Sequence, residues 1–340
     1  MTGPLNSVVA VELSGIGPSR YCGMLLAELG AEVILVTRPG ELARRADSVV
    51  GRGRRHVVAD LKTPAGRDTV LELAAGADLL IEPYRPGVAE RLGVGPDDCL
   101  QRNPRLIYGR MTGWGQDGPL SKSAGHDINF IAITGVLHAI GRAGGPPQPP
   151  LNLLGDFGAG TMFLLLGMLA ALNQRDRTGV GAVIDASIVD GTLSLASFIL
   201  GLRNEGQWSD VRGTNLLDTG APYYDVYETS DGKWMAVGAI ESQFFAEMLG
   251  LLGIADAPPQ DDREKWPVLR RLIAEKFRAR TRDEWTNLFT GTDACVAPVL
   301  TFAEAARHPH IADRCALVES DGRLFPGFAP RISGSRPLAE

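Results

Sequence analysis

Apolar runs and helical patterns alternate along the first half of the chain. The apolar run 8–13 ends at the turn Ser14-Gly-Ile-Gly-Pro, and a helical pattern separates it from a second apolar run, 32–36, which predicts a β-α-β unit. Further strand-like segments, again separated by helical stretches, lie at 78–81 and 106–108. We therefore predict an α/β fold with a mostly parallel sheet, as a Rossmann-like large domain over residues 1–203.

The pattern changes in the second half. A long apolar helix is predicted over 157–173, a strand over 182–186 and a second apolar helix near 189–202. The polar, irregular stretch that follows is typical of a linker, which we place at 204–221. After it, two alternating segments are joined through Asp231-Gly232, a strong hairpin signal, and three helical patterns follow, so we predict a smaller α+β domain over 222–319.

Length and composition agree with two folded domains. The chain has 340 residues, more than the roughly 250–300 at which one hydrophobic core stops growing. The net charge is -6 with one basic concentration between residues 38 and 62, which argues against an extended nucleic-acid surface. The first residues lack a signal-peptide pattern, and apolar stretches such as 162–172 are shorter than the roughly 18 residues of a membrane span. We expect a cytoplasmic protein.

The cysteines and histidines do not form a metal-binding pattern. Cys22, Cys99, Cys295 and Cys315 are far apart and include no C-x-x-C pair, so neither a zinc site nor a disulfide framework is indicated. The five histidines also lack metal-ligand spacing. We predict reduced thiols and no metal.

The glycine-rich turn after the first strand matches a dinucleotide-binding fingerprint only in part. Arg20 replaces its third glycine, and the second strand is followed by Arg38 where an acidic ribose ligand is expected. An arginine at that place suits a phosphate on the adenosine ribose, either the 2′-phosphate of NADP or the 3′-phosphate of coenzyme A. A tight turn beside a surface arginine explains the motif equally well.

Basic residues recur after the predicted strands, where ligands gather on open α/β sheets. For any one of them a solvated surface position is the more common explanation, but their repetition favours a phosphate-bearing ligand, which guanidinium groups bind well. The residues are Arg38, Arg44, Arg45, Arg52, Arg54, Arg55 and Lys62, followed by Tyr84-Arg85-Pro86-Gly87 and Arg91.

Two ionisable residues stand at the start of helical patterns. His126 follows the glycine-rich turn 112–119, where it could meet a ligand while backbone N–H groups of the next turn bind an oxyanion; a capping or hydrogen-bonded histidine is the alternative. Asp156 precedes a long apolar helix and is a good N-cap. A cap would favour its ionised form and leave it ready as a base, so the two roles are compatible.

Motifs along nearly the whole chain closely resemble the α-methylacyl-CoA racemases, a branch of the family III CoA-transferase (CaiB/BaiF) superfamily. His126, Asp156 and Glu241 are specific to the racemase branch, whereas the Arg-Pro-Gly and Asp-Gly elements are shared with the transferases. The motifs are Glu12-Leu-Ser-Gly-Ile-Gly-Pro18, Ala59-Asp-Leu-Lys62, Tyr84-Arg-Pro-Gly87, Arg105-Leu-Ile-Tyr108, Met111-Thr-Gly-Trp-Gly-Gln116, Gly125-His-Asp-Ile-Asn129, Leu151-Asn-Leu-Leu-Gly-Asp-Phe-Gly158, Asp185-Ala-Ser-Ile-Val-Asp-Gly191 and Gly238-Ala-Ile-Glu241.

The resemblance implies a set of site residues. His126 and Asp156 would flank the α-carbon of an acyl-CoA substrate, Glu241 would orient His126, and Asn152 would pair with Asp156. Coenzyme A, as part of the substrate and not a separate cofactor, would be held by Arg38, Ala59, Asp60, Leu61, Lys62, Pro83, Tyr84, Arg85, Arg91, Gly125, Asp127, Ile128, Asn129 and Phe130.

The resemblance also implies an interlocked homodimer. The active site would lie between the large domain of one subunit and the small domain of the other, with residues 320–340 returning to the large domain. Two features depart from the family: Pro83 replaces a more flexible residue, and the chain stops soon after the return segment, which suggests a missing terminal helix.

The expected reaction is proton transfer at a thioester α-carbon. One group removes the proton, the backbone N–H of Asp127 is a candidate donor to the enolate oxygen, and a second group returns a proton on the opposite face. In a family III CoA-transferase, the closest alternative, Asp156 would be a nucleophile that forms a mixed anhydride. An NADP-dependent oxidoreductase and a CoA-binding protein without catalysis are the others, and neither explains His126, Asp156 and Glu241 together.

Overall fold

The computed structural model describes residues 3–41 and 49–333, which form two compact units. The first unit comprises residues 1–137, 149–197 and 327–340, and the second comprises 138–148 and 198–326. The predicted residues Arg44 and Arg45 lie outside the described residues.

The first unit is built on a six-stranded parallel sheet, as the apolar runs predict. The strands are β1 (Val9–Leu13), β2 (Glu32–Thr37), β3 (Arg54–Val58), β4 (Leu79–Glu82), β5 (Ile107–Thr112) and β6 (Ala182–Ser187). Their order in the sheet is β3-β2-β1-β4-β5-β6, and each neighbouring pair is parallel. Because β1, β4 and β5 are neighbours, the loops at their carboxyl ends lie along one edge of the sheet.

Helices cover the sheet, and their starts follow from local sequence. Pro18 opens α1, where a missing N–H costs nothing, and Thr63 caps α2 by accepting a hydrogen bond from the backbone N–H of Gly66 at 3.1 Å. The helices of the first half are α1 (Pro18–Glu28), α2 (Pro64–Gly76), α3 (Val88–Arg91), α4 (Pro96–Arg102), α5 (Asp127–Ile133) and α6 (Val136–Ala139).

The long apolar helix begins earlier than its pattern predicts. Residues Leu153–Thr161 form a wide π-helical segment that continues directly into α7 (Met162–Thr178). Within the described chain, 153–178 is the one helix long and apolar enough to cross a membrane. Its α7 part packs on β5 and β6, and core helices can have the same length and composition, so this is weak evidence for a span.

The second apolar helix of the pattern is two helices in the structure. The first is α8 (Ile188–Leu195) and the next is α9 (Ser197–Asn204), with Ala196 between them. At this break the Ser197 hydroxyl donates a hydrogen bond to the carbonyl oxygen of Ser194 at 2.6 Å. Such local side-chain bonds compete with helix continuation, which explains why an apolar pattern alone missed the interruption.

The second unit contains an antiparallel sheet of three strands, which pair in the order Tyr224–Glu228, Trp234–Gly238 and Val296–Pro298. Its first two strands form the predicted hairpin, and Gly232 in the turn has a φ of +70°. The elements are β7 (Tyr224–Glu228), β8 (Trp234–Gly238), α10 (Ser242–Leu252), α11 (Trp266–Phe277), α12 (Arg282–Phe289), β9 (Val296–Pro298), α13 (Phe302–Ala305), α14 (Pro309–Asp313), β10 (Leu317–Ser320) and β11 (Arg323–Pro326).

Candidate active site

Asp156 lies in the π-helical segment 153–161, with its carboxylate turned toward the turn after β1. A Cβ atom at Gly17 would lie 3.0 Å from Asp156 Oδ2, so the carboxylate rests directly on this glycine. The side chain of Asn152 makes a hydrogen bond to Asp156, and His126 is near enough to act on it electrostatically. The first unit therefore brings His126, Asn152 and Asp156 together.

The pKa of the Asp156 carboxyl is raised above its ordinary value. Burial is the main cause, and the negative charge of Asp127 adds to it, while the hydrogen bond from Asn152 and the proximity of His126 act in the opposite direction. A carboxyl group with a raised pKa is a stronger base when ionised and also holds a proton more readily, which suits a group that must serve as both base and acid.

Tertiary contacts hold the π-helical segment in its wide form. The backbone N–H of Phe157 donates to the carbonyl oxygen of Asn152, five residues earlier, at 3.3 Å. The hydroxyl of Thr161 donates to the carbonyl oxygens of Pro18, at 2.8 Å, and Asp156, at 3.1 Å. Wide helical turns of this kind are frequent at functional sites, and here the Thr161 bonds tie Asp156 to the first turn of α1.

His126 is the residue immediately before α5, and its side chain is exposed. Its backbone N–H donates to Asn129 Oδ1 at 3.1 Å, and its carbonyl oxygen accepts from the Asn129 N–H at 2.8 Å. Asn129 therefore caps this helix start, which fixes the backbone of His126. The following residue, Asp127, begins the first helical turn, where backbone N–H groups lack intrahelical partners.

The aromatic pair Trp114 and Phe130 packs beneath the loop before His126. The ring of Phe130 packs edge-on against Trp114, with centroids 4.7 Å apart, and a Cβ at Gly113 or at Gly125 would lie 2.1 Å or 2.6 Å from that ring. Only glycine leaves room for the ring at these two positions. Phe130, expected by resemblance among the coenzyme A contacts, is thus buried beneath the loop in this structure.

Most of the other expected coenzyme A residues follow β2, β3 and β4, and the rest lie in the loop before α5 or in its first turn. Pro83 packs on the turn after β1, since a Cβ at Gly15 would lie 2.5 Å from the Pro83 ring. Burial raises the pKa of the next residue, Tyr84, to about 12. Ala59 is buried, and Asp60 and Leu61 are half-buried next to it. The exposed members of the set are Arg38, Lys62, Arg85, Arg91, Ile128 and Asn129, with Gly125 half-buried.

One basic residue of the sequence pattern has a different role. Arg54 and Arg55 lie within β3 instead of after a strand, and the guanidinium of Arg54 is fully buried. Its Nε lies 2.6 Å from Glu12 Oε2, so Arg54 neutralises a buried carboxylate of β1 and is not available to a phosphate. The prediction that Arg54 belongs to a phosphate-binding cluster is therefore wrong.

A second buried ion pair, not visible in the sequence pattern, holds the Tyr84 loop. Glu82 Oε1 accepts the backbone N–H of Tyr84 at 2.6 Å, and Glu82 Oε2 lies 3.1 Å from Arg110 Nε. Arg110 also pairs with Glu90 at 2.8 Å. Burial raises the pKa of Glu82 to about 7. The only trace of this pair in the sequence is that Glu82, a charged residue, ends an apolar run; its partner Arg110 is not indicated.

Glu241 belongs to the second unit, whereas His126, Asn152 and Asp156 belong to the first. It is exposed and directly precedes α10. Among the described residues there is no group of three or more His, Cys, Asp or Glu side chains that could hold a metal ion. All four cysteines are free thiols, two buried and two exposed.

Comparison with known proteins assigns the chain to a family. Residues 5–336 match the sequence profile of CoA-transferase family III. The chain is 47% identical to "Alpha-methylacyl-CoA racemase" of Mus musculus, covering 98% of this chain and 87% of that protein, and 46% identical to the Homo sapiens protein of the same name, covering 96% and 86%. The crystal structure of a CAIB/BAIF family protein from Brucella suis has the same fold, with a TM-score of 0.83 at 24% identity over 99% of this chain and 94% of that chain. The chain therefore belongs to CoA-transferase family III.

Proposed function

We propose that the protein is an α-methylacyl-CoA racemase, an isomerase that interconverts the epimers of 2-methylacyl-CoA thioesters. The observation that carries the proposal is the pairing of two unlike acid/base groups, the His126 imidazole and the Asp156 carboxylate, within electrostatic reach of each other beside the loops at one sheet edge. The mouse and human relatives, similar to this chain over nearly its whole length, are named as racemases, which supports the same conclusion.

The reaction needs two groups because the proton must leave one face of the α-carbon and return to the other. For one epimer, His126 takes the α-proton, the C–H electron pair passes into the thioester to form an enolate, and Asp156 delivers a proton to the opposite face. For the other epimer the roles are reversed. The backbone N–H of Asp127 is the donor proposed for the enolate oxygen. The proposed steps transfer protons only and change no oxidation state. We therefore propose that coenzyme A takes part as a portion of the substrate and that these steps use no separate cofactor.

The coenzyme A handle would bind along the carboxyl ends of β2, β3 and β4. The exposed cations Arg38, Lys62, Arg85 and Arg91 follow these strands and suit the phosphates of the nucleotide. Half-buried Tyr84 offers an aromatic surface to the adenine, and its loop is fixed by Glu82. A localised patch of this kind fits a small polyanion and not an extended nucleic acid.

A family III CoA-transferase is the second candidate, because the family name itself describes that activity. In such an enzyme Asp156 would attack an acyl-CoA carbonyl carbon, expel the CoA thiolate and form a mixed anhydride. An acceptor carboxylic acid would then be required. This mechanism gives no role to the imidazole of the exposed His126 beside Asp156.

Exchange of the α-proton in deuterated water tests the proposal. Each epimer of a 2-methylacyl-CoA, incubated separately with the wild-type protein and no added acid, should be converted to both epimers and gain deuterium at the α-carbon. Substitutions His126→Ala and Asp156→Ala should each lower racemisation by roughly a hundred-fold to ten-thousand-fold, the usual contribution of one positioned acid or base. Each variant should retain slow exchange only for the epimer whose α-hydrogen faces the remaining group.

Matched controls separate loss of a base from loss of any similar side chain. His310→Ala and Asp176→Ala remove an exposed histidine and an exposed aspartate from α14 and α7, and both should keep wild-type rates. Trapping of Asp156 by hydroxylamine during turnover, together with a requirement for an acceptor acid and no deuterium at the α-carbon, would favour the transferase instead.

We further propose that the active protein is a homodimer in which Glu241 of one subunit orients His126 of the other. Large apolar side chains of the first unit are exposed in the single chain, as a surface buried by a second copy would be. They include Ile133 at 59%, Leu151 at 69%, Leu153 at 58% and Leu166 at 63% exposed. Cytoplasmic location stays a prediction.

Complementation tests the shared site. Subunits carrying His126→Ala and Glu241→Ala, each inactive alone, should regain activity when refolded together, because a mixed dimer contains one intact site. Inactive mixtures whose subunits still bind coenzyme A and still dimerise would contradict the shared site without affecting the racemase proposal.

A further inference from the structure

The side chain of Asp127 is buried and points away from solvent. It lies in the first turn of α5 and is 7% exposed, its Oδ2 accepts a hydrogen bond from the backbone N–H of Asp156 at 2.6 Å, and the carboxylate also accepts from the backbone N–H of Gly155. The coenzyme A contact implied by resemblance and the proposed enolate donor both involve the surface of this loop. Neither accounts for a carboxylate directed into the protein.

Asp127 connects the two segments that carry the proposed acid/base pair. It is covalently next to His126, and it accepts a hydrogen bond from the N–H of Asp156 itself. The fit is close, because a Cβ at Gly155 would lie 2.5 Å from Asp127 Oδ2. Glycine at 155 is therefore required for the carboxylate to reach both N–H groups, and any movement of Asp127 would be transmitted to the backbone of Asp156.

A neutral acceptor could bind these N–H groups at lower cost. Burial raises the pKa of Asp127, and its second oxygen, Oδ1, is buried without a hydrogen-bond partner in the described parts of the chain. A buried, incompletely bonded carboxylate destabilises the fold relative to an amide. The negative charge of Asp127 therefore costs folding stability, and the need for a hydrogen-bond acceptor does not account for that charge. Its effect on the neighbouring Asp156 does.

We propose that the Asp127 side chain is a positioning residue for Asp156, which holds the 155–156 backbone in register with His126 and places a negative charge beside the Asp156 carboxylate. The inference rests on the proposed function, because it assigns Asp156 a role in proton transfer.

The charge has a defined effect on Asp156. Asp127 raises the pKa of Asp156, second only to burial, whereas Asn152 and His126 lower it. Removing the Asp127 charge should therefore lower the pKa of Asp156. The elements packed against segment 153–161 carry further titratable or charged groups. The charges that shift the pKa of Asp156 are nevertheless those of Asp127 and His126. These further groups are Arg20, Tyr21, Cys22 and Glu28 on α1, Tyr108 and Arg110 on β5, Arg175, Asp176 and Arg177 on α7, Asp185 on β6 and Asp190 on α8.

The test compares Asp127→Asn with Asp127→Ala. Asparagine keeps an oxygen acceptor for the N–H groups but removes the charge, and alanine removes both. In Asp127→Asn the acidic limb of the kcat/KM profile, for the epimer deprotonated by Asp156, should move to lower pH. Asp127→Ala should show the same displacement and also a fall in kcat of about a hundred-fold, the order expected for misplacing a catalytic group by about 1 Å, with KM little changed. Asp176→Asn is the control, since Asp176 is exposed.

A second readout does not depend on activity. The carboxyl resonance of Asp156, assigned in ¹³C-labelled protein by its loss in Asp156→Ala, should titrate at lower pH in Asp127→Asn than in the wild type. An unchanged Asp156 titration together with a superposable rate profile would overturn the inference, as would an Asp127→Ala variant whose only defect is a raised KM. If wild-type protein shows no α-proton exchange at all, the proposed function fails, while the titration still decides what Asp127 does to Asp156.

Discussion

Gly17 is the position where the smallest side chain should disturb the proposed site. It lies in the turn between β1 and α1 with φ +59° and ψ -118°, a conformation that L-residues other than glycine rarely adopt. Alanine at this position faces two separate costs. The backbone strain should lower stability by about 1–3 kcal/mol, and the new methyl group would meet Asp156 Oδ2 at 3.0 Å.

The second cost determines the effect on the reaction. An ordinary Cβ contact begins near 3.4 Å, so the carboxylate of Asp156 must move away by at least 0.4 Å. If a displacement of about 1 Å costs about a hundred-fold in rate, a shift of this size costs about sixfold. We therefore expect Gly17→Ala to lower kcat by about sixfold or more for both epimers, with little change in KM because the coenzyme A contacts are untouched.

Racemisation of a purified 2-methylacyl-CoA epimer, followed by chiral separation, measures this effect. Gly206→Ala is the matched control, since Gly206 also has a positive φ, +73°, but a Cβ there would meet nothing within 4 Å. The control should lose stability and keep kcat. Equal kcat values in the two variants, once both are shown to be folded at the assay temperature, would refute the argument that Gly17 is needed to make room for Asp156.

Three further substitutions test other parts of the first unit. Glu82→Gln should remove a pH dependence of the free energy of unfolding. The pKa of Glu82 is about 7 in the folded protein and lower in the unfolded chain, so the wild type is most stable at acidic pH and loses up to about 3 kcal/mol of stability as pH rises from about 4.5 to 7. Urea unfolding at pH 5 and pH 8 measures this difference. Phe130→Ala should cost about 3–5 kcal/mol in the same assay, whereas the exposed Phe302→Ala should cost little. Arg91→Ala should raise KM for the CoA thioester with kcat nearly unchanged, and added salt should weaken wild-type binding; a wild-type KM in the variant would contradict the phosphate assignment.

The parallel sheet was largely predictable from the sequence, except for strand β3. Strands β1, β2, β4 and β5 are buried on both faces and so read as apolar runs. Strand β3, Arg54–Val58, lies at the edge and begins with two arginines, which made it look like a basic loop. The charge of Arg54 is acceptable there because Glu12, 42 residues earlier, pairs with it, a compensation that no local pattern reveals.

The long helix begins at Leu153 and not at 157 as its pattern predicts, for a related reason. Gly155, Gly158 and Gly160 weaken any helical prediction over 153–161, because glycine disfavours helices. In the structure, a Cβ at Gly155 would lie 2.5 Å from Asp127 and one at Gly160 would lie 3.0 Å from Ile188, both in other parts of the chain, whereas the nearest atom to a Cβ at Gly158 is the carbonyl oxygen of Leu153 in the same segment, at 3.0 Å. The same residues that lower helix propensity thus permit the packing that places Asp156, so the local signal and the tertiary requirement oppose each other.

Some residues of the candidate site could be predicted from local sequence motifs, and others depend on contacts between distant parts of the chain. His126, Asp156 and the neighbouring Asn152 could be named as candidates from the sequence because they lie in recognisable motifs, whereas Asp127 and Gly17 could not be linked to Asp156, since each contacts it from a distant part of the chain. Asp127 reaches Asp156 across 29 positions, and Gly17 meets it across 139. Because these contacts define where the Asp156 carboxylate lies and how strongly it holds its proton, a chain that kept both motifs but lost Gly17 or the Asp127 side chain would still be assigned to the family, yet should be a poorer racemase.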